Sequence, residues 1–550
     1  MRASRGLMLS ALCSWMLISW NTALHAQIRD PASSTFDFSP DATSRSPRLL
    51  GMGHLTLASD IHNGVNLWDL AANPIGLFEA DSTSSFDLRP ATSSAAGRHT
   101  PVGSDTERQH LAGREVKLAY EAWKRGEHSI YGLIGDFTDF RADQPYNDTR
   151  VLRDHLNLPR FEAILSGRMP RFQSDRMIYE LHIFNVNANT LEEYRKFFIN
   201  AEGEYLGKES EVEPPPNFFD PDEFRASAVG AGLGFSYKVA GWLTAAAGGE
   251  ATSTRIEGEN SDNIHDTGTG QDRSYYTGRA GLTGHYQRFQ YALDGRTWSA
   301  QNEERFVFTL KAGQNQNPFT GRGKVLDRDE DGSEGRGRVR WTMGNLELNA
   351  GGRTWNRTVD ITPPPTGAID SYNYFLNVAA NRLGADSLAL PDSVVRSHAK
   401  DNGWDMAYGA TWRFGKKGLL GGEYHFAKQS SQLDVFADQA PVPGNDPVSF
   451  VGDGPHRRTS DIRGGIEYSC TEALTGRLGF IRRSDDQDEL TERNEYKSNT
   501  LTTGVGIQPL GSRWNFDLGW SIEWISPDFD DATDPKESRQ QLGAQIRWIF

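Results

Sequence analysis

The sequence predicts an all-β protein, a transmembrane antiparallel β-barrel of about 14 to 18 strands with long extracellular loops. Three observations lead there. Apolar residues recur at every second position through most of the chain, short and long links between such segments alternate, and no apolar run after the first 26 residues is long enough for a membrane-spanning helix.

The amino-terminal stretch "MRASRGLMLSALCSWMLISWNTALHAQ" is treated first because it is set apart from the rest. Arg2 and Arg5 precede an apolar run from Leu7 to Trp20, broken only by Ser10, Ser14 and Ser19, and small residues follow up to Ala26. That is the layout of a secretory signal peptide, residues 1–26, with an apolar core too short for an ordinary transmembrane helix. The exported chain keeps one cysteine, Cys470, and so has no internal disulfide. The formal net charge of −15 speaks against a nucleic-acid partner, which calls for a basic face. Hydrophobic content of 37% beside 56 glycines is low for a soluble chain of 550 residues built around continuous cores.

From residue 84 to residue 550 one pattern repeats. In "RWNFDLGWSIEWI" the residues Trp514, Phe516, Leu518, Trp520, Ile522 and Trp524 fall on one face, and Asn515, Asp517, Gly519, Ser521 and Glu523 on the other. Three tryptophans on a water-facing surface would invite aggregation. Facing lipid, they are the apolar band and interfacial girdle of a membrane barrel. The same split recurs in Val116, Leu118 and Tyr120 against Glu115, Lys117 and Glu121, and in Val229, Ala231, Leu233, Phe235 and Tyr237 against glycines and Ser236. Charge on the polar face implies a wet interior.

The links are an independent test. Short ones fall at "KRGEH", "KVAG", "YQRF", "TMGN", "FGKKG", "SCTEA" and "PLGSR", with another near Arg171. Between them lie long polar stretches, among them the one containing "YRKFFI" (Tyr194 to Ile199) and the one containing "YNYFL" (Tyr372 to Leu376). Tight periplasmic turns alternating with large outer loops are what a transmembrane barrel requires, and closure leaves no strand edge unpaired in lipid.

The chain ends "RQQLGAQIRWIF". Leu542, Ala544, Ile546, Trp548 and Phe550 alternate with Gly543, Gln545 and Arg547. Taken alone this is equally the last strand of a soluble sandwich. In the barrel reading it is the closing strand, and its terminal aromatic and alternating apolar residues resemble the carboxy-terminal signal read by the outer-membrane barrel assembly machinery. Outer-membrane lipid and that machinery are therefore expected partners, and the bacterial outer membrane the expected location.

Residues 27–83 do not fit a bare porin. Within "SPRLLGMGHLTLASDIHNGVNLWDLAANPIGLFEA", residues 46–80, Gly51 and Gly53 flank Met52, Asp60 and Asn63 mark a polar centre, and Asn73 and Pro74 precede Ile75, Gly76 and Leu77. This ordered set resembles the outer-membrane long-chain fatty-acid transporter (FadL-type) superfamily and its PorV- and PorQ-type relatives in type IX secretion. Its departures are Ser59-Asp60-Ile61 at the usual Asp-Asp centre and Ile75 in place of the common Ala. In those proteins the segment plugs the barrel from the periplasmic side, and the resemblance implies the same here. Gly51 and Gly53 would allow close approach to the wall and Pro74 would fix a turn; Arg296 and Arg353 are candidate lumenal partners for Asp60 and Asn63. The plain alternative is a first strand and turn with no gating role.

One acidic run stands out in a predicted outer loop. In "DRDEDGSEG", Asp327, Asp329 and Asp331 precede Gly332 as in the first half of a calcium loop, but the twelfth position is Arg338 where such loops carry Glu. A structural calcium ion and a solvated acidic loop both fit; no other cofactor is expected. There is no Gly-x-Ser-x-Gly elbow, His-Glu-x-x-His pair or phosphate-binding glycine loop, and His54, His285 and His425 are single, so no catalytic residues are assigned. Two main functions remain: passive uptake of hydrophobic small molecules, and a non-transporting barrel that binds a secreted or surface protein. An outer-membrane enzyme is a third reading.

Overall fold

The computed structural model describes residues 48, 52, 55, 84–99, 108–125, 129–147, 150–168, 177–199, 205–211, 223–261, 265–310, 319–362, 395–415, 417–437, 449–488, 493–529 and 536–549. Nineteen strands lie among them. They are β1 (Ser85–His99), β2 (Arg108–Arg125), β3 (Ser129–Asn147), β4 (Arg150–Arg168), β5 (Met177–Ile199), β6 (Tyr205–Glu211), β7 (Glu223–Ala240), β8 (Leu243–Ser261), β9 (His265–Tyr286) and β10 (Phe289–Leu310). The series continues with β11 (Phe319–Met343), β12 (Leu346–Thr362), β13 (Val395–Phe414), β14 (Gly418–Ala437), β15 (Ser449–Ser469), β16 (Leu474–Asp488), β17 (Arg493–Ile507), β18 (Trp514–Phe529) and β19 (Lys536–Ile549).

Eighteen of them form a closed antiparallel barrel, the upper end of the expected range. Each pairs with its neighbours in sequence, except that β5 pairs with β7, and β6, seven residues long, pairs with β5 alone. Closure is made by β1 and β19, in register from Ser85↔Ile549 to Arg98↔Lys536. A ring of this kind satisfies backbone groups between strands without an interior core, which is why it can cross lipid.

Tight hairpins occur where the short links predict them. Gly344, Gly415 and Gly511 have positive φ, as does Gln287, the one non-glycine residue among the described ones to do so. At the opposite end the strands run on: β11 has 25 residues and β5 has 23. About ten tilted residues cross the hydrocarbon, so these strands extend well past it. Two expectations change as a result. Asp327, Asp329 and Asp331 lie within β11 and not in a loop, and Tyr194 to Ile199 lie within β5. An extended backbone spreads the three aspartates along one face instead of wrapping them around a centre. Among the described residues no group of three or more His, Cys, Asp or Glu side chains is placed to hold a metal ion.

Alternation sorts the side chains into two faces. Outward lie large exposed apolar groups, including Tyr286 (61% exposed), Ile462 (58%) and Tyr276 (57%). Near the hairpins the outward set is aromatic: Trp242, Tyr286, Trp341, Trp412, Tyr468 and Trp514. Trp514 stacks on Trp548 of the neighbouring strand, centroids 5.3 Å apart and planes at 8°. Inward lie buried polar groups such as Asp87, Glu121, Asp401, Asp461 and Thr502. Apolar outside and polar inside inverts a soluble protein and matches a transmembrane barrel.

Candidate functional site

The candidate site is the lumen, and its wall has two unlike halves. From β9 to β16 the inward face carries many arginines and carboxylates joined across strands, set among buried Trp298, Trp355, Val359 and Ala399. Glu330 accepts from Arg273 (2.9 Å), from Trp298 Nε1 (3.1 Å) and from Arg357 (3.3 Å). Glu334 pairs with Arg296 at 2.9 Å and with Arg336, while Arg353 pairs with Asp405 at 2.8 Å. Further round, Arg457 pairs with Asp485 at 2.5 Å, Arg463 with Asp461 at 2.7 Å, and Arg477 with both Glu467 (2.8 Å) and Asp517 (2.6 Å). Planar guanidinium groups suit such bridging because their donors fan out in a fixed fork.

The inner face of β3 to β8 is different. Ile134, Ile164 and Ile178 turn inward and are buried, as are Ala226, Ala228 and Ile256. Gly230 and Gly232 of β7 lie opposite Phe184 and His182 of β5, whose rings cover them: a Cβ on Gly230 would fall 2.2 Å from Phe184 Cζ. Charged groups are fewer here; Arg160–Glu162 at 3.0 Å and His182–Glu250 at 3.1 Å are among their pairs.

The seam carries its own lock. Asp87 of β1 accepts hydrogen bonds from Gln545 (2.9 Å) and Arg547 (2.9 and 3.0 Å) of β19, and Arg89 pairs with Glu121 of β2 at 2.6 Å. Leu542, Ala544, Ile546 and Trp548 occupy the other, outward face of β19; Phe550 lies outside the described residues.

Three residues of the amino-terminal segment are described, and all are buried against the inner wall. Arg48 makes a two-pronged pair with Glu467 of β15 (Nε 2.6 Å, Nη2 2.8 Å), Met52 and Leu55 cluster with Leu419 of β14, and two wall glycines make room for them. A Cβ on Gly465 would lie 2.2 Å from the Met52 carbonyl oxygen, and one on Gly421 2.6 Å from Leu55 Cδ1. Beside them a polar cavity of about 320 Å³ at the hairpin end is lined by Arg48, Glu347, Arg413, Glu467, Arg477 and Asp517 among others.

Of the residues singled out in the sequence for a plug, Met52 is thus seen in the lumen. Gly51, Gly53, Asp60, Asn63, Asn73, Pro74, Gly76 and Leu77 lie outside the described residues, as do residues 1–26. Arg296 and Arg353 do face the lumen, where wall carboxylates meet them. Sequence reasoning missed Arg48 and Leu55. Arg48 and Glu467 are 419 residues apart, and no local pattern links them. His425 is bonded to Glu423 on its own strand at 2.9 Å.

No protein-family model matches the chain, and no curated protein matches it. Among solved structures, the Pseudomonas putida toluene transporter TodX is 12% identical, over 92% of this chain and 98% of its own, with a TM-score of 0.34. The ferric yersiniabactin uptake receptor FyuA from Yersinia pestis is 7% identical, over 86% and 80%, with a TM-score of 0.37. The unliganded ferric citrate transporter FecA is 8% identical, over 85% and 79%, with a TM-score of 0.40. Their names give them different cargoes, and overlaps below 0.5 say nothing about what crosses this barrel.

Proposed function

We propose that the protein is an outer-membrane channel for passive uptake of hydrophobic small molecules, gated from the periplasmic side by its amino-terminal segment. The observation that carries this reading is the apolar inner strip of β3 to β8, headed by Ile134, Ile164, Ile178 and Phe184, in a lumen that is otherwise laced with ion pairs. An apolar solute is repelled by a wall of solvated charge and attracted by a strip of this kind. The seating of Arg48, Met52 and Leu55 against β14 and β15 supports the gate, since a segment held there narrows the passage at its hairpin end. In this reading residues 1–26 direct export, residues 27–83 form the plug, and Leu542, Ala544, Ile546, Trp548 and Phe550 recruit the assembly machinery.

The test is uptake of a labelled long-chain fatty acid and of a small aromatic hydrocarbon into proteoliposomes. Wild type is compared with a deletion of residues 46–80 and with Gly465→Val, whose side chain would collide with the Met52 backbone. Saturable uptake of either probe, altered by both changes, is expected. Absence of uptake in all three proteins, with a secreted protein co-purifying from native membranes, would overturn the channel reading in favour of a protein-binding barrel.

A further inference from the structure

The outward face carries a feature that passage through the lumen does not explain. Lys428 of β14, Arg458 of β15 and Arg482 of β16 are exposed on that face, and none has a hydrogen bond or ion pair with any described residue. Lys428 and Arg458 stand directly opposite each other in the β14–β15 register. Like charges so placed destabilise a sheet unless an anion joins them. Asp486 faces Arg458 from β16 without forming an ion pair with it. Elsewhere on the outward face Arg255 is matched to Glu257 at 2.5 Å and Lys497 to Glu495 at 3.0 Å, each within its own strand, while Lys400 of β13, next to β14, is exposed and unmatched like the three.

The height of the patch matters. The three cations lie about ten residues from the hairpin ends of their strands, the length that crosses the hydrocarbon, level with the outward aromatics Tyr276, Trp404 and Trp524. Trp404 is register partner to Lys428 and packs on Phe426, centroids 5.3 Å apart. From Trp404 an apolar groove of about 740 Å³ runs back towards the hairpins, floored by Gly335, Gly337 and Gly352 and walled by Leu293 and Met406. Cations above and a groove below form an amphiphilic surface. Arg482 stands opposite Ile462, four residues nearer the hairpin than Arg458, which puts it roughly 14 Å from Arg458, farther than one phosphate reaches.

We propose that this surface docks a diphosphorylated glycolipid of the outer leaflet, one phosphate between Lys428 and Arg458, the second towards Arg482, and acyl chains along the groove. This requires the barrel to sit in a membrane with its hairpins on the inner side, and it stands apart from the uptake reading. The test uses the full exported chain in phosphatidylcholine nanodiscs doped with diphosphorylated lipid A or with phosphatidylglycerol, followed by native mass spectrometry of the lipid retained. Wild type is compared with the triple variant Lys428→Gln/Arg458→Gln/Arg482→Gln and with Arg255→Gln/Lys497→Gln, which removes the two matched outward cations. Heat-modifiable gel migration verifies that all three are folded.

Each basic side chain at an anionic surface contributes roughly fivefold, so the triple variant should hold lipid A about a hundredfold more weakly, with the matched-cation variant unchanged. Equal retention by wild type and the triple variant overturns the proposal. So does retention of phosphatidylglycerol as tight as that of lipid A, because it removes the need for two phosphates.

Discussion

The two halves of the lumen wall share a backbone and differ in how densely they carry charge. On β9 to β16 inward arginines and carboxylates bridge strand to strand in series; on β3 to β8 isoleucine, alanine and glycine take many of those positions and the ion pairs are fewer. Both halves use one local device, an aromatic ring laid over a glycine on the next strand: Phe184 over Gly230 in the apolar half, Trp298 over Gly332 and Trp355 over Gly403 in the charged half. In the charged half an arginine then covers the ring, Arg296 at 5.1 Å from Trp298 and Arg353 at 4.7 Å from Trp355. The difference shows that closure by hydrogen bonds frees the interior from supplying a core. One half can be stiffened by ion pairs while the other presents apolar surface to the lumen.

The largest effect should come from breaking the charged half. Glu334→Ala removes the carboxylate that meets Arg296 and Arg336, neither of which makes a second ion pair among the described residues. Loss of one partner from a buried pair costs about 3 to 5 kcal/mol, and the lower figure is expected because both arginines reach lumenal water. Urea unfolding followed by tryptophan fluorescence measures it. Ile164→Ala in the apolar half should cost less, about 2 kcal/mol, at the low end for a buried aliphatic because a lumenal wall can relax into the space. If Ile164→Ala were the more damaging of the two, the apolar half would be the structural one and the contrast would be reversed.

How far the sequence reveals these halves depends on distance along the chain. The alternation in Trp514 to Trp524 and in Leu542 to Trp548 marks strands and their lipid face without help, because period two is a local property. The hairpins at Gly344, Gly415 and Gly511 are equally local. Asp327 to Asp331 misled because a carboxylate-rich run reads as a loop, whereas a barrel strand can continue into water and carry charge on both faces. The ion pairs, and hence the division of the lumen, follow from registers between strands far apart in sequence. Arg353 reaches Asp405 only because Arg353 and Asp405 are paired across β12 and β13, beyond a 32-residue link, residues 363–394, that says nothing about register.

A smaller change sharpens the comparison at the device both halves share. Gly403→Ala would put a Cβ 2.1 Å from Trp355 Cζ2, and the ring has little freedom because Arg353 lies on it and is itself tied to Asp405. About 1 to 2 kcal/mol should be lost. Gly230→Ala meets the far end of the Phe184 ring, which no arginine pins among the contacts described, so its cost should be lower. Paired unfolding curves of the two variants give the ranking directly; equal costs would mean that the arginine cover adds no rigidity.

The smallest expected effect leaves the lumen. Arg255 and Glu257 form an ion pair of 2.5 Å on the outward face of β8, with side chains 67% and 47% exposed. Its geometry is as close as that of Arg457–Asp485 inside the barrel, also 2.5 Å, where the side chains are only 20% and 10% exposed. If distance governed stability, Arg255→Gln and Arg457→Gln would cost the same. Solvent screening predicts otherwise: an exposed pair contributes about 0 to 1 kcal/mol, while an interior carboxylate that loses its partner stays desolvated. Arg255→Gln should therefore lie within error of wild type and change little with added salt. Arg457→Gln should be plainly destabilised, since Asp485 would keep only part of its hydrogen bonding, from Thr459 at 3.0 Å among the contacts described.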